Sequence, residues 1–242
     1  MKNFFAKVAK AIKKYFYNPK WRCLACGKEI FEGNFCVDCQ KELPFNDGII
    51  CEHCCRKLIG AERYCSTCKG ILVSLDKCRS AFNYAPPIST LIKKMKYDNG
   101  KFIADIFSEY LAPLYFKNYF NADFITFIPM TDKAKKKRGY NQGELLAEAT
   151  SKRVGVPVVD CLQKVKDTDR QAKLGRTERL KNLSDAYRVK SRKIVKDKRI
   201  LIIDDVSTTG ATAQAAAEKL KRAGAKTVCL LSVASVPPID KY

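Results

Sequence analysis

Residues 200–212, ILIIDDVSTTGAT, run from an apolar stretch into two adjacent carboxylates and then into hydroxyls around a glycine. Asp204 and Asp205 suit sugar hydroxyls as acceptors, or a Mg²⁺ held on a phosphate. Ser207, Thr208, Thr209 and Thr212 supply hydroxyl donors. Gly210, next to Ala211, lets backbone approach an anion closely. A helix predicted to begin near Thr209 aims its unpaired amides at the same point. The combination reads as a cradle for a sugar 5-phosphate, with the acids on the ribose. No Gly-Lys-Ser/Thr is present, which excludes a Walker A loop.

A second chemistry sits upstream. Cys23/Cys26, Cys36/Cys39, Cys51/Cys54 and Cys65/Cys68 form four Cys-x-x-Cys pairs. Pairs at this spacing read as structural zinc ligands, enough for two ions. Spacing leaves open whether neighbouring pairs share an ion or interleave; sequential pairing lets each half close locally. Cys55 adjoins Cys54 and could replace it by a one-residue slip, although the x-x spacing favours Cys54. His53, the only histidine, is expected to be a bystander. Four regular pairs exceed what one redox dithiol needs, and ten of the twelve cysteines fall between residues 23 and 78. That clustering favours metal over disulfides, and a reducing compartment.

Two basic segments follow the same logic of charge. KKKRGYNQGELLAEA (135–149) carries Arg138, Tyr140, Asn141 and Gln142. KVKDTDRQAKLGRTERLKN (164–182) carries Lys164, Thr168, Gln171, Leu174, Arg179 and Asn182 at intervals that fit neither helix nor strand. The whole chain holds 46 Lys and Arg against 25 Asp and Glu, a net +21. Two ions on eight thiolates would change this by −8 + 4, to about +17. Such a charge implies polyanionic partners. Phe31, Phe35, Tyr64 and Tyr140 offer rings for base stacking.

Elements must position these groups. From residue 79 to 235 strand and helix patterns alternate. AFNYA, DFITFIP (123–129), VPVVDCL, RILIID (199–204) and TVCLLSVAS read as strands. ISTLIKKMKY, FIADIFSEYLAPLYF up to Pro113, QGELLAEATSKRV and GATAQAAAEKLKRAG read as helices. The continuous apolar strands suit a largely parallel sheet covered on both faces. Residues 4–16 form an amphipathic basic helix, either packed on the protein or lying on a membrane or partner. The organisation expected is therefore a basic helix (1–19), a zinc-binding module of two four-cysteine sites (20–78) and an α/β domain (79–242). No segment reaches the roughly 20 apolar residues of a membrane span; a soluble cytoplasmic chain, peripheral to a membrane at most, is expected.

The 200–212 segment resembles the phosphoribosyl-pyrophosphate (PRPP) signature of type I phosphoribosyltransferases. With Arg-Gly-Tyr-Asn-Gln (138–142), Thr-x-x-Gln-x-x-Leu…Arg-x-x-Asn (168–182), YAPPISTLIKKMKYDNGK (84–101) and the leading cysteines, the chain resembles the ComF family from about residue 20 to 235. One departure is Lys164 where arginine is expected; it keeps the charge and loses a bidentate grip. The resemblance implies a type I phosphoribosyltransferase-like α/β fold, its sheet flanked by helices, behind a small zinc-ribbon-like module. It implies Asp204 and Asp205 on the ribose 2- and 3-hydroxyls, residues 207–212 around the 5-phosphate, and Mg²⁺ with PRPP. It places Arg138, Tyr140, Asn141 and Gln142, with Lys164, Thr168, Gln171, Arg179 and Asn182 of the second basic segment, in loops that contact the pyrophosphate or DNA. The function implied is DNA uptake in natural transformation, with single-stranded DNA bound and a DNA-import helicase or membrane-associated competence proteins as partners. Two alternatives stand beside it: an active phosphoribosyltransferase with an unidentified acceptor, and a zinc-module adaptor of the import machinery.

Overall fold

The computed structural model describes residues 22–58, 60–66, 68, 69, 74–97, 100–166 and 185–236. The predicted N-terminal helix lies outside them, as do Thr168, Gln171, Leu174, Arg179 and Asn182. The chain forms two compact units, residues 1–43 and 44–242. In the first, a turn around Cys23 is closed by the Gly27 N–H on the Cys23 carbonyl at 2.8 Å. A short helix α1 (Val37–Lys41) follows Cys36.

The second unit is built on a four-stranded, wholly parallel sheet. Its strands are β1 (Lys77–Asn83), β2 (Phe124–Phe127), β5 (Arg199–Ser207) and β6 (Thr227–Ser235), in the order β1-β6-β5-β2. Ile200, Leu201, Ile202 and Ile203 are all buried, as are Val228, Leu230 and Leu231. Alternate side chains leave a strand on opposite faces, so such runs need cover on both. One face receives α3 (Ile103–Lys117) and α5 (Gln142–Val154). The other receives α7 (Ala211–Arg222), whose Ala213, Ala216, Ala217 and Leu220 join Ile200, Ile202, Val228 and Leu230 in one core. The remaining helices are α2 (Ile88–Tyr97), α4 (Asp132–Arg138) and α6 (Arg192–Val195). Strands β3 (Leu162–Lys164) and β4 (Tyr187–Val189) pair antiparallel as a separate ribbon packed beside α7.

Three expectations are corrected. Helix α3 does not stop at Pro113 but continues to Lys117. Pro113 is exposed, so the carbonyl it frees has water available. The strand expected in VPVVDCL reduces to a single bridge, Ile125 to Val158, before the chain leaves the sheet for β3. Strand β5 extends through both acids to Ser207, and α7 starts at Ala211 rather than Thr209. Among the described residues no helix is long and apolar enough to cross a membrane.

Candidate functional site

The carboxyl end of β5 carries the acids into the loop. Asp205 is 5% exposed and forms an ion pair with Lys96, near the end of α2. Asp204 Oδ1 accepts the Asp205 backbone N–H at 2.8 Å. Burial, and then the Asp205 carboxylate beside it, push the Asp204 pKa well above the ordinary carboxylate value. Thr208 and Thr209 are exposed, so their hydroxyls face solvent or a ligand. Gly210 caps α7 at φ 72°, left-handed backbone that favours glycine. Beyond it the first amides of a 12-residue helix open at the same end of the sheet. Ligands of parallel sheets collect at this position. Two adjacent acids, a lysine, exposed hydroxyls and helix amides can together hold a polyhydroxylated phosphate.

The first basic segment meets this site through α2. Tyr97, next to Lys96, lies under the Arg138 guanidinium at 5.2 Å. Arg138 also donates to Gln142 Oε1. The Tyr140 hydroxyl donates to the Met95 carbonyl, and the ring is buried. Asn141 is buried as the cap of α5; its Oδ1 accepts the Gly143 N–H at 2.9 Å and its Nδ2 donates to the Ile128 carbonyl at 3.1 Å. Arg138 and Tyr140 therefore contact the end of α2 that pairs with Asp205, Gln142 holds Arg138, and Asn141 is turned to Ile128 and the start of α5. Tyr140 and Asn141 use their polar atoms within the fold. Lys164 lies on β3. Lys96 is the residue sequence reasoning missed. It reads as one more polar position on an amphipathic helix, and only the tertiary fold brings it to the acid.

The cysteines assemble in sequence order. Cys23, Cys26, Cys36 and Cys39 have their Sγ atoms within 4.8 Å of one another, and so do Cys51, Cys54, Cys65 and Cys68. Sulfurs about 2.3 Å from a central Zn²⁺ define a tetrahedron with edges of about 3.8 Å. Cys26 to Cys36 and Cys54 to Cys65 both measure 3.8 Å. The donors thus fit two Zn²⁺ ions. Burial works against ionising Cys23, but the backbone N–H groups of Cys26, Cys36 and Ala25 outweigh it and lower its pKa to about 6. Hydrogen bonds from Cys54 and Cys68 hold the Cys51 thiol well below its ordinary value. Cys54, not Cys55, belongs to the tetrad. The Cys55 N–H closes the second turn on the Cys51 carbonyl at 3.1 Å, and its φ of 63° matches the 77° of Gly27 in the first. His53 stacks on Tyr64 at 4.1 Å and belongs to neither tetrad. Of the four rings offered for stacking, Phe35 and Tyr140 are buried, while Phe31 is fully exposed.

The family model described as phosphoribosyl transferase domain matches residues 141–241. Competence protein F of Haemophilus influenzae is 28% identical over 225 residues, covering 88% of this chain and 95% of the relative. Competence protein ComFC of Streptococcus pneumoniae is 27% identical over 231 residues, covering 88% and 99%. DNA utilization protein YhgH of Salmonella typhi is 30% identical over 159 residues, covering 62% and 67%.

Proposed function

The chain belongs to the ComF family of competence proteins, and from that premise we propose that it serves DNA uptake by binding PRPP with Mg²⁺ at residues 204–212 and single-stranded DNA on its basic surface. Its α/β unit has the type I phosphoribosyltransferase-like fold. The relatives' names, competence protein and DNA utilization protein, support the role in DNA uptake. The observation that carries the ligand reading is the buried, lysine-paired Asp205 at the carboxyl end of β5, continuous with the exposed Thr208–Thr209 turn and the start of α7.

In this reading Asp204 and Asp205 accept from the ribose hydroxyls. The exposed Thr208 and Thr209 hydroxyls and the first α7 amides hold the 5-phosphate, while Ser207 gives its hydroxyl to the Cys54 carbonyl. Lys96, paired with Asp205, and Arg138, over the neighbouring Tyr97, supply the cations a pyrophosphate would need. Mg²⁺ would neutralise part of the pyrophosphate charge. The basic surface engages the DNA backbone, where affinity comes from phosphate contacts.

Thermal unfolding of the zinc-loaded full chain with Mg²⁺ and PRPP tests the ligand site. At about 100 times its dissociation constant, a ligand stabilises the folded state by about 2.7 kcal/mol. The wild type is expected to gain such a shift and Asp205→Ala to lose it. A folded wild type that gains none rules the PRPP reading out.

A further inference from the structure

The second cysteine tetrad is built against the same loop. Ser207, the last residue of β5, donates its hydroxyl to the Cys54 carbonyl at 3.0 Å. Gln214, in the first turn of α7, donates Nε2–H to the His53 carbonyl at 3.3 Å. Its Oε1 accepts the Ser74 and Leu75 N–H groups at 2.8 and 3.2 Å. Arg56 follows the turn and donates to the Thr208 carbonyl at 3.4 Å and the Val236 carbonyl at 3.3 Å. At Gly210 the approach leaves a side chain little room. A Cβ there would lie 3.1 Å from the His53 oxygen and 3.3 Å from Cys54 Cα. On the far side, Cys78 of β1 donates its thiol to the carbonyls of Cys51 and Glu52 at 3.4 and 3.0 Å. Cys55 is wholly buried in the sheet core.

We infer that the Cys51–Cys54–Cys65–Cys68 metal knuckle is a wall of the phosphoribosyl site, and that Ser207, Gln214 and Arg56 are positioning residues through which metal occupancy and ligand binding are coupled. The inference rests on the phosphoribosyl reading of the loop. The coupling has a sign. The carbonyls that hold Ser207 and Gln214 belong to the turn between two metal-binding sulfurs, and that turn needs Cys55 in left-handed backbone, an unfavourable conformation for a side-chain-bearing residue. A bound Zn²⁺ fixes the turn. Its loss frees the turn and leaves the loop to be ordered by the ligand alone, which weakens binding. Linkage then requires the ligand to hold the metal by the same factor. The first tetrad, in the other compact unit, provides an internal reference.

Zinc transfer from the full-length holoprotein to a chromogenic zinc chelator, followed with and without saturating Mg²⁺ and PRPP, tests the coupling. Isothermal titration of the same sample measures PRPP affinity. A Cys26→Ser variant identifies which release phase belongs to which tetrad. PRPP is expected to slow release from the second tetrad about tenfold, within the ordinary range of coupling between sites, and to leave the first unchanged. Gln214→Leu, which keeps all eight cysteines, is expected to bring the two rates for the second tetrad together. Measurable PRPP affinity with an unchanged or faster second phase overturns the coupling and leaves the ligand reading intact. Absence of PRPP affinity overturns both.

Discussion

Asp204 and Asp205 are neighbours in sequence but meet different surroundings. Asp205 has Lys96 as a counter-ion. Asp204 holds the adjacent backbone N–H, and burial beside a second carboxylate raises its pKa well above the ordinary value. A raised pKa means that the folded protein keeps the proton to a higher pH than a free carboxyl does. A Mg²⁺-bound ligand favours the ionised form, so binding should release a proton and tighten as pH rises through the raised value. Titration calorimetry of Mg²⁺ and PRPP in two buffers of different ionisation heat is expected to give different apparent enthalpies. Asp204→Asn should erase the difference; a wild-type heat that ignores the buffer would mean Asp204 does not titrate with the ligand. The acids, the loop hydroxyls and Gly210 were legible in the sequence because their chemistry is written in consecutive residues. Lys96 was not, since its role depends on where α2 ends relative to β5. Nor were Gln214 and Arg56, which look like ordinary helix and surface residues until the tetrad is placed beside them.

The elements were legible where burial dictates pattern. Strand β6 and helix α5 fall at the expected residues because a strand covered on both faces reads as a continuous apolar run and a half-buried helix as a stripe. Legibility failed where tertiary context overrides propensity, as at the exposed Pro113 that leaves α3 unbroken. It failed again at Val158, where the chain touches β2 once and departs. Glycine positions separate backbone conformation from contact. Gly139 and Gly210 have φ of 82° and 72°, but an added Cβ meets nothing at Gly139 and the His53 oxygen at Gly210. Gly139→Ala should cost about 1–2 kcal/mol from left-handed backbone alone. Gly210→Ala should cost more, and urea midpoints compare the two; equal losses would deny the contact. Between β2 and β5, Asp123 accepts from the Arg199 side chain and backbone N–H, both at 2.7 Å. Arg199 lowers the Asp123 pKa from 3.8 to about 2. A lowered pKa favours the folded state above the unfolded value and is lost as pH falls through the folded one. Asp123→Asn should therefore be less stable than wild type near neutrality, with the gap closing between about pH 4 and about pH 2. A gap that persists undiminished to the acid end would assign the stabilisation to something other than this charge.

At the scale of the whole molecule, charge outweighs every local feature. The formal net charge of +21 remains near +17 when eight thiolates hold two Zn²⁺ ions. Part of that excess is concentrated along the sequence in residues 131–199, which carry 21 Lys and Arg against 9 Asp and Glu. Composition alone raises the expectation of a polyanionic partner, but does not say which rings would be available to it. The structure narrows the rings named for stacking: Phe35 and Tyr140 are buried, Tyr64 is stacked on His53, and Phe31 is exposed. Electrostatic and stacking contributions to DNA binding respond differently to salt. A single strand gripped through four or more phosphates gives a log–log salt slope of about −3 or steeper, at about 0.7 per phosphate. Fluorescence anisotropy with a labelled oligonucleotide from low to moderate salt is expected to show that slope in the zinc-loaded chain. Phe31→Ala is expected to lower affinity by about 1–3 kcal/mol, the contribution of one stacked base, with the slope unchanged because no phosphate contact is lost. Replacing Lys135, Lys136 and Lys137 by glutamine should instead flatten the slope by about 0.7 for each phosphate contact removed. A flat slope in the wild type would show that the excess charge does not meet a nucleic-acid backbone.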